Sequence, residues 1–226
     1  MGDNHKYNPC LCIGREGVAM KTISKEEQAN ITPDQVIELL IKGNQRFMQN
    51  LRFNRNLLQQ VNETAENQYP IASILSCIDS RTTAELIFDQ GLGDIFSIRI
   101  AGNVVNDDII GSLEFACKIA GCKLIVVLGH TNCGAIKGAC DNEQLGYLTQ
   151  LLDKIKPAVE QETSFKTDRS GKNLPYVNEV ARINVTHSIQ AILKESSIIR
   201  GLITQKTIKI IGGLYDVVSG EVSFFE

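Results

Sequence analysis

From residue 71 onward the chain alternates short apolar runs with stretches of helical period. IASIL (71–75), IFSIRI (95–100), LIVVL (124–128) and TIKIIGGLY (207–215) read as strands. The central runs are apolar without strict alternation, as expected of strands buried on both faces. Between them, TTAELIFDQ and DIIGSLEFACKIAG read as helices, the second closed by Gly121 as a C-cap. Further on come a helical stretch around NEQLGYLTQLLDKIKPAV and a polar loop at 162–173. A long helix follows from about Pro175 to Lys194, and Ser196–Gln205 adds a turn or two. Strands alternating with helices predict an α/β fold whose mostly parallel central sheet is flanked by helices.

Upstream, TPDQVIELLIKGNQRFM opens with a capping box of Thr32 and Gln35, with Pro33 at the first helical position. Val36, Leu39, Leu40, Gly43 and Phe47 share one stripe of that helix. Residues 50–70 are polar and leave room for one further helix before Tyr69-Pro70. Residues 1–30 show no convincing periodicity and read as an N-terminal tail or arm, leaving 31–226 as a single domain. No internal repeat or low-complexity tract is visible.

Composition narrows the partners. The 226 residues are 43% hydrophobic and 22% charged with a net charge of −3, which gives no reason to expect nucleic acid or anionic membrane. No apolar run approaches the roughly 18 residues that span a bilayer. The N-terminus carries neither a basic opening nor an apolar core of a secretory signal. Cytoplasm is the expected compartment, with periplasm the alternative if a leader has been removed. Seven scattered cysteines, an odd number, argue for reduced thiols rather than a disulfide scaffold. Cys117, Cys122 and Cys140 lie among small and apolar residues and read as packing positions. Cys10-x-Cys12 reads as two free thiols in a polar tail, ahead of a metal or redox pair.

The chemistry is concentrated in two places. SILSCIDSRTTAE delivers Cys77, Asp79 and Arg81 just past one strand, and LIVVLGHTNCGA delivers His130 and Cys133 just past another. Either pair alone is weak. Ligands in open α/β sheets collect at the carboxyl ends of strands, so two such pairs meet if their strands are neighbours. Two thiolates, an imidazole and a carboxylate suit tetrahedral Zn2+. Cys133 begins a helix whose positive end is expected to lower its pKa. Asp79, beside Arg81, can either bind the metal or swing off it and open a position for water.

CIDSR, IFSIRIAGN and GHTNCGAIKG resemble the signature segments of the β-class carbonic anhydrases, in the right order and spacing. The resemblance runs from the helix at 33 to GGLYDVVSGEV and leaves the arm uncovered. It implies zinc held by Cys77, His130 and Cys133, with Asp79 and Arg81 as a dyad that orients or gates the nucleophile. The implied reaction is reversible hydration of CO2 to bicarbonate, with hydroxide generated at the zinc. It further implies Gln68 as an amide donor to bicarbonate, Phe96 as an apolar wall, Gly134 at the substrate, and a homodimer or homotetramer with the active site near a subunit interface. Phe115 stands where many members have tyrosine, which removes a hydroxyl. Some members have an inhibitory bicarbonate site that relies on a tryptophan where this chain has Ile74, so that regulation is not expected here.

Other readings stay open at this point. The same scaffold can act on another small heteroallene such as CS2 or COS, and a non-catalytic zinc or thiol protein would carry four closed ligands with no use for Arg81. His5, His187 and Tyr69 are equal candidates for a proton shuttle. A phosphate loop fails because Ala135-Ile136 stands where Lys and Ser or Thr are required, and a cysteine-phosphatase loop fails at Thr83.

Overall fold

The computed structural model describes residues 21–225; the readings made for His5, Cys10 and Cys12 lie outside them. The chain enters through α1 (Lys25–Asn30), opened by a capping box of Ser24 and Glu27. Residues expected to be featureless therefore hold a helix of one and a half turns, too short to show an apolar stripe. Its buried Gln28 donates from Nε2 to the carbonyls of Pro70 (2.7 Å) and Ala120 (2.8 Å), which ties the arm to the domain. Next come α2 (Pro33–Met48), with the Thr32–Gln35 capping box in place, and α3 (Leu57–Glu63).

Strand β1 (Ala72–Ser76) leads to the single turn of α4 (Ala84–Ile87) and to β2 (Ile95–Arg99). The helix expected over TTAELIFDQ stops after one turn because Asp89 adopts φ +47°, its buried carboxylate bound by Arg46 Nε and Arg55 Nη1. After a tight turn at Ala101–Asn103, α5 (Asp107–Glu114) runs into a π turn over Phe115–Ile119, marked by Ala120 N donating to Phe115 O at 3.0 Å. Then follow β3 (Leu124–His130), α6 (Gly134–Cys140), α7 (Gly146–Asp153) and α8 (Lys156–Gln161). The chain ends with α9 (Leu174–Glu195), α10 (Ser197–Thr204), β4 (Lys209–Tyr215) and β5 (Val222–Phe225).

The sheet has the order β2-β1-β3-β4-β5, parallel except for β5, which returns antiparallel along β4. That last strand is the element the apolar pattern misses. It is secured from a distance by Asn44 on α2, whose Oδ1 accepts from Val222 N at 2.9 Å and whose Nδ2 donates to Gly220 O at 2.8 Å. On one face, Val36 and Leu40 of α2 pack with Ile87 and Phe88 on Ile74, Val126 and Leu128. That approach is close: a Cβ on Gly43 would sit 1.8 Å from Phe88 O. On the other face Leu113, Val185, Ile192 and Ile199 cover Leu75, Ile125 and Val127. Cys117 and Cys122 are buried in this layer, as expected, and burial pushes the Cys117 thiol up to about 12. No helix among the described residues is long and apolar enough to cross a membrane.

Candidate metal centre

The register of the two central strands brings the two motifs together. β1 and β3 pair Ser76 with Leu128, so Cys77 and His130 emerge side by side at their carboxyl ends. Beyond β1 the loop is fixed through its backbone. Cys77 O accepts from Arg99 Nε (3.0 Å) and Thr82 Oγ1 (2.9 Å), and Asp79 O accepts from Arg99 Nη2 (2.6 Å) and Thr82 Oγ1 (2.8 Å). Beyond β3 the chain reverses through Asn132 at φ +57°, whose N–H donates to Asn178 Oδ1 at 2.9 Å. The reversal places Cys133 at the N-cap of α6.

The ligand atoms of Cys77, His130 and Cys133 lie within 4.8 Å of one another, and all three residues are buried. The two sulfurs are 3.9 Å apart. In a tetrahedral zinc site with Zn–S bonds of roughly 2.3 Å, two thiolates stand about 3.8 Å apart. His130 Nδ1 donates to Thr131 O at 2.9 Å, which fixes the tautomer and leaves the lone pair on Nε2. That Nε2 is buried and has no partner. A buried nitrogen lone pair without a donor is costly in a purely structural core, and a cation at this point would satisfy it. The donor set fits zinc.

Electrostatics agree. Two thiols at this separation share a proton, so hydrogen bonding from Cys133 lowers Cys77 against the opposing effect of burial, and the Gly102 amide at 3.4 Å adds to the lowering. Cys133 moves the other way, pushed up first by Cys77 and then by burial. Amides of Ala135 and Ile136 do lower Cys133, but the neighbouring sulfur outweighs them.

Asp79 stands at the edge of the trio rather than within it. Its Oδ1 accepts from Arg81 N (3.0 Å) and Nε (2.9 Å), and its Oδ2 accepts from Arg81 Nη2 (2.9 Å). Arg81 holds the carboxyl far below the usual carboxylate range. The Gly102 amide that faces Cys77 is held in turn by Asn184, whose Nδ2 donates to Gly102 O at 2.8 Å. Neither Gly102 nor Asn184 stands out in the sequence, although Gly102 falls inside IFSIRIAGN.

Cys77 and Asp79 line a cleft of about 450 Å³. Gly134 lines it with open space where a side chain would be. Its apolar walls are Ile78, Ala101, Leu145, Leu148 and Leu152, and Glu143 adds a carboxylate. Sequence reasoning missed Leu145, Leu148 and Leu152 because α7 and the turn before it fold over the site from positions with no motif. Gln68 and Phe96 do not line this cleft. Gln68 is exposed ahead of β1. Phe96 pairs with Ser73 in the register, so it sits four residues short of Cys77, about 13 Å along the sheet. Its ring instead packs on Phe115, centroids 6.3 Å apart.

Comparison with known proteins points one way. A family model described as carbonic anhydrase matches residues 72–222. The chain is similar to carbonic anhydrase 2 of Mycobacterium tuberculosis, 34% identical over 199 residues that cover 84% of this chain and 92% of that protein. It is 32% identical to a carbonic anhydrase of Mycolicibacterium smegmatis over 85% of this chain and 93% of the other. Among solved structures, a β-carbonic anhydrase of Aspergillus fumigatus superposes with a TM-score of 0.68 at 25% identity, covering 85% of this chain and 88% of that one. One of two tetrameric β-carbonic anhydrases from Sordaria macrospora shares the fold with a TM-score of 0.62 at 23% identity, over 74% of this chain and 89% of that one.

Proposed function

The chain belongs to the β-carbonic anhydrase family of enzymes, and from that premise we propose that it catalyses the reversible hydration of CO2 to bicarbonate and a proton, with zinc held by Cys77, His130 and Cys133. The observation that carries the reading is the convergence of two sulfurs and an orphaned imidazole nitrogen beside an Asp79–Arg81 ion pair. Zinc bound there supplies the Lewis acidity that makes a water molecule nucleophilic near neutral pH.

The protein's own groups do the rest. Asp79, oriented by Arg81, accepts a hydrogen bond from the attacking water and turns its lone pair toward CO2. Released from Arg81, the same carboxylate can take the fourth ligand position and close the site, so the ion pair acts as a gate. Ile78, Ala101, Leu148 and Leu152 offer a nonpolar molecule an apolar wall with few polar anchors. Gly134, without a side chain, lets the product oxygens approach the backbone. A closed structural zinc site would leave no reason for Arg81 to draw the fourth candidate ligand away.

Gln68 and Phe96 belong in this scheme as contributions to a second copy's cleft. Both lie by β2, a sheet edge, and Phe115 and Ile119 beside it are exposed apolar side chains. A homodimer or homotetramer that buries this edge would bring them to the site, and a structural neighbour is described as tetrameric. Stopped-flow CO2 hydration with metal analysis and light scattering tests the whole. Zinc near one per chain with rapid hydration in an oligomer is expected. Zinc without hydration, or turnover of CS2 or COS alone, would replace the reading.

A further inference from the structure

Hydration of CO2 releases one proton for each turnover, and the site that would generate it is walled mainly by apolar side chains. A group must carry that proton to solvent. Among the described residues, the titratable side chains lining the cleft are Cys77, Asp79 and Glu143. Cys77 is a ligand candidate, and Asp79, paired with Arg81 through both oxygens, is already given the task of orienting the attacking water. Of the shuttle candidates named from the sequence, His5 lies outside the described residues. His187 lines a separate cavity of about 270 Å³ with Lys154 and Asn184 behind the Ala101–Asn103 turn, and Tyr69 stands beside Gln68 ahead of β1.

Glu143 is differently placed. It sits on the α6–α7 connection, its N–H donating to Gly138 O at 2.9 Å, with its Cβ 3.8 Å from where a Gly138 Cβ would lie. Gly138 is one helical turn from Gly134, about 6 Å. Glu143 thus borders the same cleft further out, exposed to solvent, and it makes no ion pair or side-chain hydrogen bond among the described residues. We propose that Glu143 is the proton-relay residue of this enzyme, an inference that rests on the CO2-hydration reading above. The O–H bond of the attacking water breaks with its electron pair left on the oxygen that bonds to carbon. The proton crosses the cleft through water to the Glu143 carboxylate and leaves it for a buffer base outside.

The test uses the zinc-loaded full-length protein and its E143Q and E143H variants. In weak buffer, E143Q is expected to lose roughly tenfold or more in kcat while kcat/KM for CO2 stays near the wild-type value. High concentrations of imidazole buffer restore kcat, and E143H restores it without added buffer because imidazole titrates near neutrality. Zinc content and calorimetric affinity for bicarbonate stay unchanged, both of which a merely structural role would move. Unchanged kcat in E143Q in weak buffer, or a loss that neither imidazole nor E143H repairs, overturns the relay alone. Wild-type protein that hydrates no CO2 removes both the relay and the function it serves.

Discussion

Asp79 Oδ2 lies 4.0 Å from His130 Nε2 and 2.9 Å from Arg81 Nη2, so one carboxylate stands between the metal position and a guanidinium. The fork geometry of arginine makes the second contact bidentate and directional. Removing it in Arg81→Ala frees Asp79 to stay on the metal. We expect kcat to fall by about 10²-fold or more while zinc per chain is unchanged. Arg81→Lys, which keeps the charge but loses the fork, should fall between. Wild-type turnover in Arg81→Ala would end the gating idea.

Ligand loss should read out through stability as well as chemistry. Metal that binds only the folded chain stabilises it by mass action, so added zinc should raise the Tm of the chelator-stripped wild type. In His130→Gln and Cys133→Ser the zinc-induced rise should shrink sharply, and retained zinc on dialysis should fall well below one per chain. Calorimetry with plasma-emission metal analysis checks both. A full zinc-induced rise in His130→Gln would show that the orphaned Nε2 is not a ligand.

Gly102 joins the site to its support. It sits at φ +66°, and a Cβ there would lie 2.7 Å from Ile155 Cδ1. Gly102→Ala should cost about 1–3 kcal/mol of stability, seen as a lower urea midpoint. It should also weaken zinc retention, because the amide facing Cys77 Sγ moves. A variant of unchanged midpoint would mean that the turn relaxes freely.

How much of this was readable beforehand divides along physical lines. β1 and β3 were legible because strands buried on two faces are continuously apolar, β2 and β4 because their apolar runs are set off by helical stretches, and the Thr32–Gln35 box because it is local. Ser24 and Glu27 carry the same signature, but six residues leave no stripe to confirm it. β5 was not legible: Val222–Phe225 becomes a strand because Asn44, 178 residues away, takes the Val222 N–H. The convergence of Cys77, His130 and Cys133 was legible because each motif abuts a strand end. The distance between Phe96 and the trio depends on register, which a motif does not encode. Nor does any local pattern announce that Leu148 and Leu152 will roof the cleft.

Asp94 offers a pH-dependent test of how the arm is fastened. Its carboxylate accepts from Gly91 N (2.8 Å) and Ile23 N (3.1 Å), and burial, opposed by these amides and by Arg55, raises its pKa above the ordinary value. A group whose folded pKa is raised contributes stability that is fully present below the unfolded pKa, near 4, and lost as pH climbs through the folded value. Acidification from neutrality toward about pH 4 should therefore favour the wild type over Asp94→Asn, which cannot take up the proton. Urea unfolding of both proteins across that window should show the stability gap moving in the wild type's favour as pH falls. Movement the other way would mean that the two N–H donors outweigh burial and that the arm is held by an ionised Asp94 throughout.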